Sequence, residues 1–163
     1  MTLPLNHVDS PYPPRMDWSS FEKHLPDAVA ALLKLSGHVD ATGLPRALSE
    51  LVKIRVSQIN GCAFCLKLHL DLARRLALPQ VQLDLLATWR DATCFDTRER
   101  AALEWAEALT RMATAPVTDA VHQRLAQVFE PREIAALTTA IATINAWNRI
   151  AGPLRFVPPG LAG

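Results

Sequence analysis

The stretch Glu50–His69 reads E-L-V-K-I-R-V-S-Q-I-N-G-C-A-F-C-L-K-L-H. Apolar residues recur at helical spacing on both sides of Asn60-Gly61, a pair that stops helices because glycine accepts the left-handed turn most residues avoid. A helix is therefore predicted from about Arg46 to Ile59, and a second from about Cys62 to Ala77, ended by Pro79. On a helical wheel Cys62, Cys65, Leu68, His69, Leu72, Ala73 and Leu76 share one face of the second helix. Lys67, Asp71, Arg74 and Arg75 lie opposite. Both thiols and the imidazole thus point inward.

The same punctuation continues outward. Residues 1–15 hold four prolines and read as an extended arm. Helical periodicity begins near Trp18 and is clear from Pro26 through Leu35, with His38–Pro45 as a loop. A short helix covers Gln80 to Trp89, and Asp96 with Glu99 forms a capping-box pattern that opens a helix to about Met112. Another starts at Thr118 or Asp119 and runs to Phe129. The last opens at Pro131 and runs to about Ala151, leaving residues 152–163 as a Pro/Gly tail. No alternating strand pattern and no repeat is present. The expected fold is all-α, one domain over residues 1–163, with about six to eight helices.

Composition narrows the function. Half the residues are apolar, 17 Lys and Arg balance 16 Asp and Glu, and no basic stripe breaks that balance. Nucleic acid and anionic membranes are therefore excluded as expected partners. No apolar run is long enough to span a bilayer, and the start has no signal-peptide pattern, so a cytoplasmic location is expected. Three cysteines with a single close pair argue against a disulfide framework and for a redox or metal role.

Chemistry gathers on four residues. Cys62 and Cys65 are i,i+3, the spacing that lets a C-x-x-C close at a helix start. Cys65 and His69 are i,i+4, which offers the thiol a base. The helix N-terminus makes Cys62 the more acidic thiol by its dipole, worth roughly 0.3–1 kcal/mol, whereas the His69 spacing favours Cys65. Spacing alone reads Glu50 as a solvated edge carboxylate. Arg55 and Gln58 fall inside an apolar stripe, so Arg55 needs a partner or an interface. Asn145 and Asn148 share a face with Ile134, Leu137 and Ile141 and need hydrogen-bond partners. Cys94 reads as an incidental loop thiol, and His7, His24, His38 and His122 as surface residues.

The run Glu50–His69 resembles the signature of the alkylhydroperoxidase D (AhpD)-like family of the carboxymuconolactone decarboxylase superfamily: a Glu, eleven residues, C-x-x-C, three residues, His. Asn145–Arg149, N-A-W-N-R, is similar to its peroxidase-related branch. The resemblance implies a helical bundle that reduces hydroperoxides. Cys65 would be the peroxide-attacking thiol, Cys62 the resolving thiol, and His69 with Glu50 the proton relay. It implies no bound cofactor, an external dithiol such as lipoamide or a thioredoxin-like protein as reductant, and a homo-oligomer, trimer or hexamer. Phe64 departs from the pattern, since family members carry a second His directly before the inner cysteine. Two other readings stay open: a zinc module built on Glu50, Cys62, Cys65 and His69, and a lactone decarboxylase, whose chemistry uses no C-x-x-C pair.

Overall fold

A computed structural model describes residues 12–160, and among these all regular structure is helical. The helices are α1 Trp18–His24, α2 Pro26–Asp40, α3 Arg46–Ile59, α4 Ala63–Arg75, α5 Gln80–Leu85, α6 Thr97–Thr110, α7 Asp119–Ala126 and α8 Pro131–Leu154. A 3₁₀ turn, Leu86–Thr88, follows α5. The fold is the all-α single domain expected.

α3 is the central element, packed against α4, α6 and α8. Leu51, Val52, Ile54 and Val56 are each fully buried, on more than one side of the helix. Two valines and an isoleucine within five residues are modest helix formers, so burial rather than propensity holds this segment helical. The Asp96–Glu99 capping box opens α6 as predicted, with Glu99 N–H on Asp96 Oδ1 at 2.8 Å and Asp96 N–H on Glu99 Oε2 at 2.9 Å.

Several boundaries differ from the sequence reading. α2 runs on through His38 to Asp40, because buried Val39 anchors a last turn that Gly37 does not break. α8 passes through Gly152-Pro153 and ends at Leu154, capped by Arg155 in the left-handed region at φ 56°. Pro153 keeps a helical φ but gives up the N–H that would bond Arg149 O, and the helix runs only one residue beyond it. The stop is set one step later, where the N–H of buried Phe156 bonds Ala151 O at 3.0 Å. The proposed tail is therefore helical to Leu154 and packed at Phe156, while 161–163 lie outside the described residues. The arm, too, lies beyond them as far as residue 11. Its last part is docked, Arg15 and Met16 N–H both bonding Leu154 O at 3.0 and 3.2 Å. Leu76, assigned to the inward face of α4, is exposed just past its end.

Arg55 finds its partner within the chain. It pairs with Glu107 of α6, Nη2 to Oε1 at 2.6 Å, and Glu107 also accepts from Trp89 Nε1 at 3.0 Å and from Arg90 and Arg111. Arg55 therefore needs no second subunit, and the argument for assembly drawn from it falls. Burial raises the Glu107 pKa, but the bonds from Trp89, Arg90 and Arg55 outweigh it and hold the carboxyl below its ordinary value. A lowered carboxyl adds stability that is complete above the unfolded value near 4.5 and lost as pH falls through the folded one. Glu107→Ala strands Arg55 and is expected to cost about 3 kcal/mol, since breaking a buried pair leaves an uncompensated charge. Arg90→Ala, at the exposed end, is expected to cost under about 1 kcal/mol. Urea unfolding at pH 7 measures both, and the Glu107→Ala deficit should shrink toward pH 4.

Candidate active site

The site is built on the junction of α3 and α4. Asn60 caps α3 and Gly61 takes φ +66°. Gly61 N–H bonds Gln58 O at 3.3 Å and Cys62 N–H bonds Ser57 O at 3.1 Å, a Schellman closure. Cys62 is at once the residue that closes α3 and the N-cap of α4, its sulfur accepting from Cys65 N–H at 3.4 Å. Three residues, Asn60, Gly61 and Cys62, therefore reverse the chain and lay α4 back along α3.

That reversal brings together the residues the sequence singled out. Cys62 and Cys65 are free thiols with sulfurs 2.8 Å apart, and both are buried. Glu50 is not the solvated edge residue its spacing suggests. It is 4% exposed, with Oε2 2.7 Å from His69 Nδ1 and Oε1 accepting from Lys53 Nζ at 3.1 Å. Lys53 in turn lies 3.5 Å from Asp40 Oδ1, so charges alternate along Asp40, Lys53, Glu50 and His69. Burial pushes the Glu50 pKa up, but the His69 hydrogen bond and the charges of His69 and Lys53 hold it below its ordinary value. Lys53 was not singled out from sequence, although its i,i+3 spacing to Glu50 was the available signal.

One expected contact is missing. Among the described residues no hydrogen bond joins His69 to either sulfur, and its Nδ1 is turned to Glu50. The thiols instead condition each other. Cys62 is lowered from 9.0 to about 7, chiefly by the S–H that Cys65 donates to it, against burial, with help from the Cys65 N–H, the Asn148 amide and the Phe64 N–H. The same shared proton, burial and the charge on Cys62 push Cys65 up. Acidity thus favours Cys62, as the helix-terminus argument predicts, while access favours Cys65. A cavity of about 550 Å³ is bordered by Cys65, Glu50 and His69 but not by Cys62.

α8 closes the back of the site. Asn60 Nδ2 donates to Asn145 Oδ1 at 3.0 Å and to Asn148 Oδ1 at 2.9 Å, and Asn148 Nδ2 reaches Ser57 Oγ at 3.2 Å. The two asparagines are thus structural ties, and Asn148 also favours thiolate at Cys62. Phe64, where family members have a second His, belongs to an aromatic wall. It stacks on Trp18 with centroids 6.2 Å apart and meets Phe156 edge-on at 5.5 Å, while Trp147 lies 5.6 Å from Trp18. That Trp18 and the Trp147 of N-A-W-N-R meet carried no signal in sequence, since their contacts span most of the chain. No group of three His, Cys, Asp or Glu is gathered for a metal among the described residues, so the four-residue zinc set is not assembled. Cys94 is half-buried and remote from the pair, His24, His38 and His122 are exposed, and His7 lies outside the described residues.

The profile of the carboxymuconolactone decarboxylase family matches residues 26–108, about half the chain and all four site residues. The chain belongs to this family. A family relative, the uncharacterized protein YdfG of Bacillus subtilis (strain 168), is 30% identical over 131 residues, 80% of this chain and 89% of YdfG. Among solved structures, a protein of unknown function from Agrobacterium tumefaciens, provisionally named antioxidant defence protein AhpD, superposes with a TM-score of 0.85 at 35% identity. It covers 90% of this chain and 99% of its own. The debrominase Bmp8 has the same fold at 19% identity, TM-score 0.77, covering 85% of this chain and 74% of its own. The family's AhpD-like branch is the one this chain resembles in both sequence and fold.

A single thiolate is expected to appear near pH 7 in a titration of absorbance at 240 nm. Cys62→Ser should abolish that step, and Cys65→Ser should move it upward by removing the S–H donor. A transition that survives Cys62→Ser would assign the acidic thiol to Cys65.

Proposed function

We propose that the chain is a thiol-dependent hydroperoxide reductase. The observation that carries this reading is a pair of touching free thiols, one bordering a cavity that a buried Glu50–His69 pair also borders. The dithiol gives one proton to His69 Nε2, leaving a thiolate that Cys62 holds and Cys65 supports by hydrogen bonding. The remaining proton passes from Cys65 to Cys62 as the Cys65 sulfur attacks the terminal oxygen of ROOH. An S–O bond forms, the O–O bond breaks, and RO⁻ takes the proton back from His69 to leave as ROH. Cys62 then attacks the Cys65 sulfenic sulfur, and its thiol proton departs with hydroxide as water. The peroxide has been reduced by two electrons, the thiols oxidised to a disulfide. An external dithiol, such as lipoamide or a thioredoxin-like protein, returns the two electrons.

Glu50 serves here as a positioning residue, fixing the imidazole by its bond to Nδ1 so that Nε2 is left to exchange protons. The shared proton reconciles acidity with access: the buried sulfur stores the charge and the accessible one spends it. Within this reading the protein works in a reducing, cytoplasmic setting and assembles as a trimer or hexamer, which sedimentation at micromolar concentration tests. No helix among the described residues is long and apolar enough to cross a membrane.

Peroxide consumption coupled to a dithiol is expected from the wild type and not from Cys65→Ser. Cys62→Ser should accumulate a dimedone-reactive sulfenic acid at Cys65. Glu50→Gln and His69→Ala are expected to lower kcat/KM by about 10²-fold, the scale of one positioned acid–base group. Mass mapping after peroxide that finds neither sulfenic acid nor a Cys62–Cys65 bridge would overturn the reading.

A further inference from the structure

The cavity has a floor and a mouth. Its floor is set by buried Cys65 and Glu50, and its mouth by exposed Leu33 and Arg46. Between them the walls are mostly aliphatic and aromatic, with Leu68, Leu72, Ile144 and the indoles of Trp18 and Trp147. A volume of about 550 Å³ is far more than hydrogen peroxide fills. It sits within the roughly 300–1,000 Å³ typical of sites for small organic ligands.

The polar groups on the lining are almost all spoken for. Ser36 Oγ donates to Leu32 O at 3.0 Å and Thr143 Oγ1 to Thr139 O at 2.7 Å, both within their own helices. Lys53 is shared between Asp40 and Glu50, and Glu50 is held by His69. Arg46 is the exception. Among the described residues no carboxylate, carbonyl or ring contacts its guanidinium, although it borders the same space. It stands four residues before Glu50 on α3, about 6 Å along the axis, on the same side of the helix. A ligand that reaches from the floor to this cation must be longer than one helical turn, apolar in its body, and anionic at its outer end.

We propose that the cavity selects amphipathic monocarboxylates, with the carboxylate on Arg46 and the apolar chain along the tryptophan-lined wall. Resting on the reductase reading for its chemistry, this makes the substrate a hydroperoxide of a medium- or long-chain carboxylic acid, its peroxide delivered to Cys65. A planar guanidinium matches a carboxylate with two parallel hydrogen bonds, which favours that head group over a neutral ester.

Binding is tested without oxidants, so the result does not depend on thiol chemistry. The tryptophan fluorescence of the full chain is titrated with laurate and with methyl laurate below their aggregation limits. Laurate is expected to bind about tenfold more tightly, a preference that falls with added salt. Arg46→Gln should bring laurate down to the level of the ester, and Arg46→Lys should keep part of the preference. Arg46 is exposed and has no partner among the described residues, so neither change removes a contact seen in the fold. Equal affinity of wild type for acid and ester, no binding of either, or a preference that survives Arg46→Gln each overturns the proposal. A second arm compares the hydroperoxide of linoleic acid with that of its methyl ester. Carboxylate-selective binding without turnover of either hydroperoxide upholds the ligand class and sinks the reductase reading instead.

Discussion

At φ +66° Gly61 takes the chain out of α3 and into α4 in a conformation that costs a residue with a Cβ roughly 1–2 kcal/mol. Nothing lies within 4 Å of where a Cβ would sit, so the demand is on the backbone angle and not on space. Every feature of the site descends from that angle. It lets Cys62 close one helix while it caps the next, and sets two sulfurs on one turn. It also folds α4 back so that a histidine nineteen positions after Glu50 meets it at 2.7 Å. A wider loop would hold the same residues without holding their distances.

Much of this was readable because it is local. Helix α3 was legible, as were the stop at Asn60-Gly61, the capping box of Asp96 and Glu99, and the proline that opens α8. The i,i+3 thiols are written in short-range spacing. What escaped depends on partners far along the chain. Glu50 looks solvated until α4 covers it, and Arg55 looks like an interface residue until Glu107, 52 positions away, supplies a carboxylate. At His69, i,i+4 spacing to Cys65 was legible, but the hydrogen bond the ring makes is to Glu50, nineteen positions back on another helix. At Gly152-Pro153 the composition suggested a stop, yet buried Phe156 decided where α8 ends.

The charged side of the cavity and its apolar side serve different ends. Asp40, Lys53, Glu50 and His69 alternate in sign, so each buried charge has a partner and its desolvation is offset in place. The aromatic wall carries no such obligations. Phe64 joins Trp18 and Phe156 instead of adding a second ring that can titrate, which leaves His69 as the ring that borders the thiol. The site therefore holds fewer titratable rings than the family pattern provides.

The unequal placement of the two sulfurs fixes a direction for disulfide exchange. A bridge between Cys62 and Cys65 presents only the Cys65 sulfur toward the cavity, so an incoming thiolate must attack there. In the proposed cycle the leaving group is then Cys62, which keeps the Cys65 N–H, the Asn148 amide and the Phe64 N–H as donors when the Cys65 S–H is gone. A leaving sulfur better stabilised as thiolate departs faster from the disulfide under attack. Under the proposed function, the donors at the start of α4 would ease the departure of the inner sulfur while the outer one exchanges between oxidant and donor.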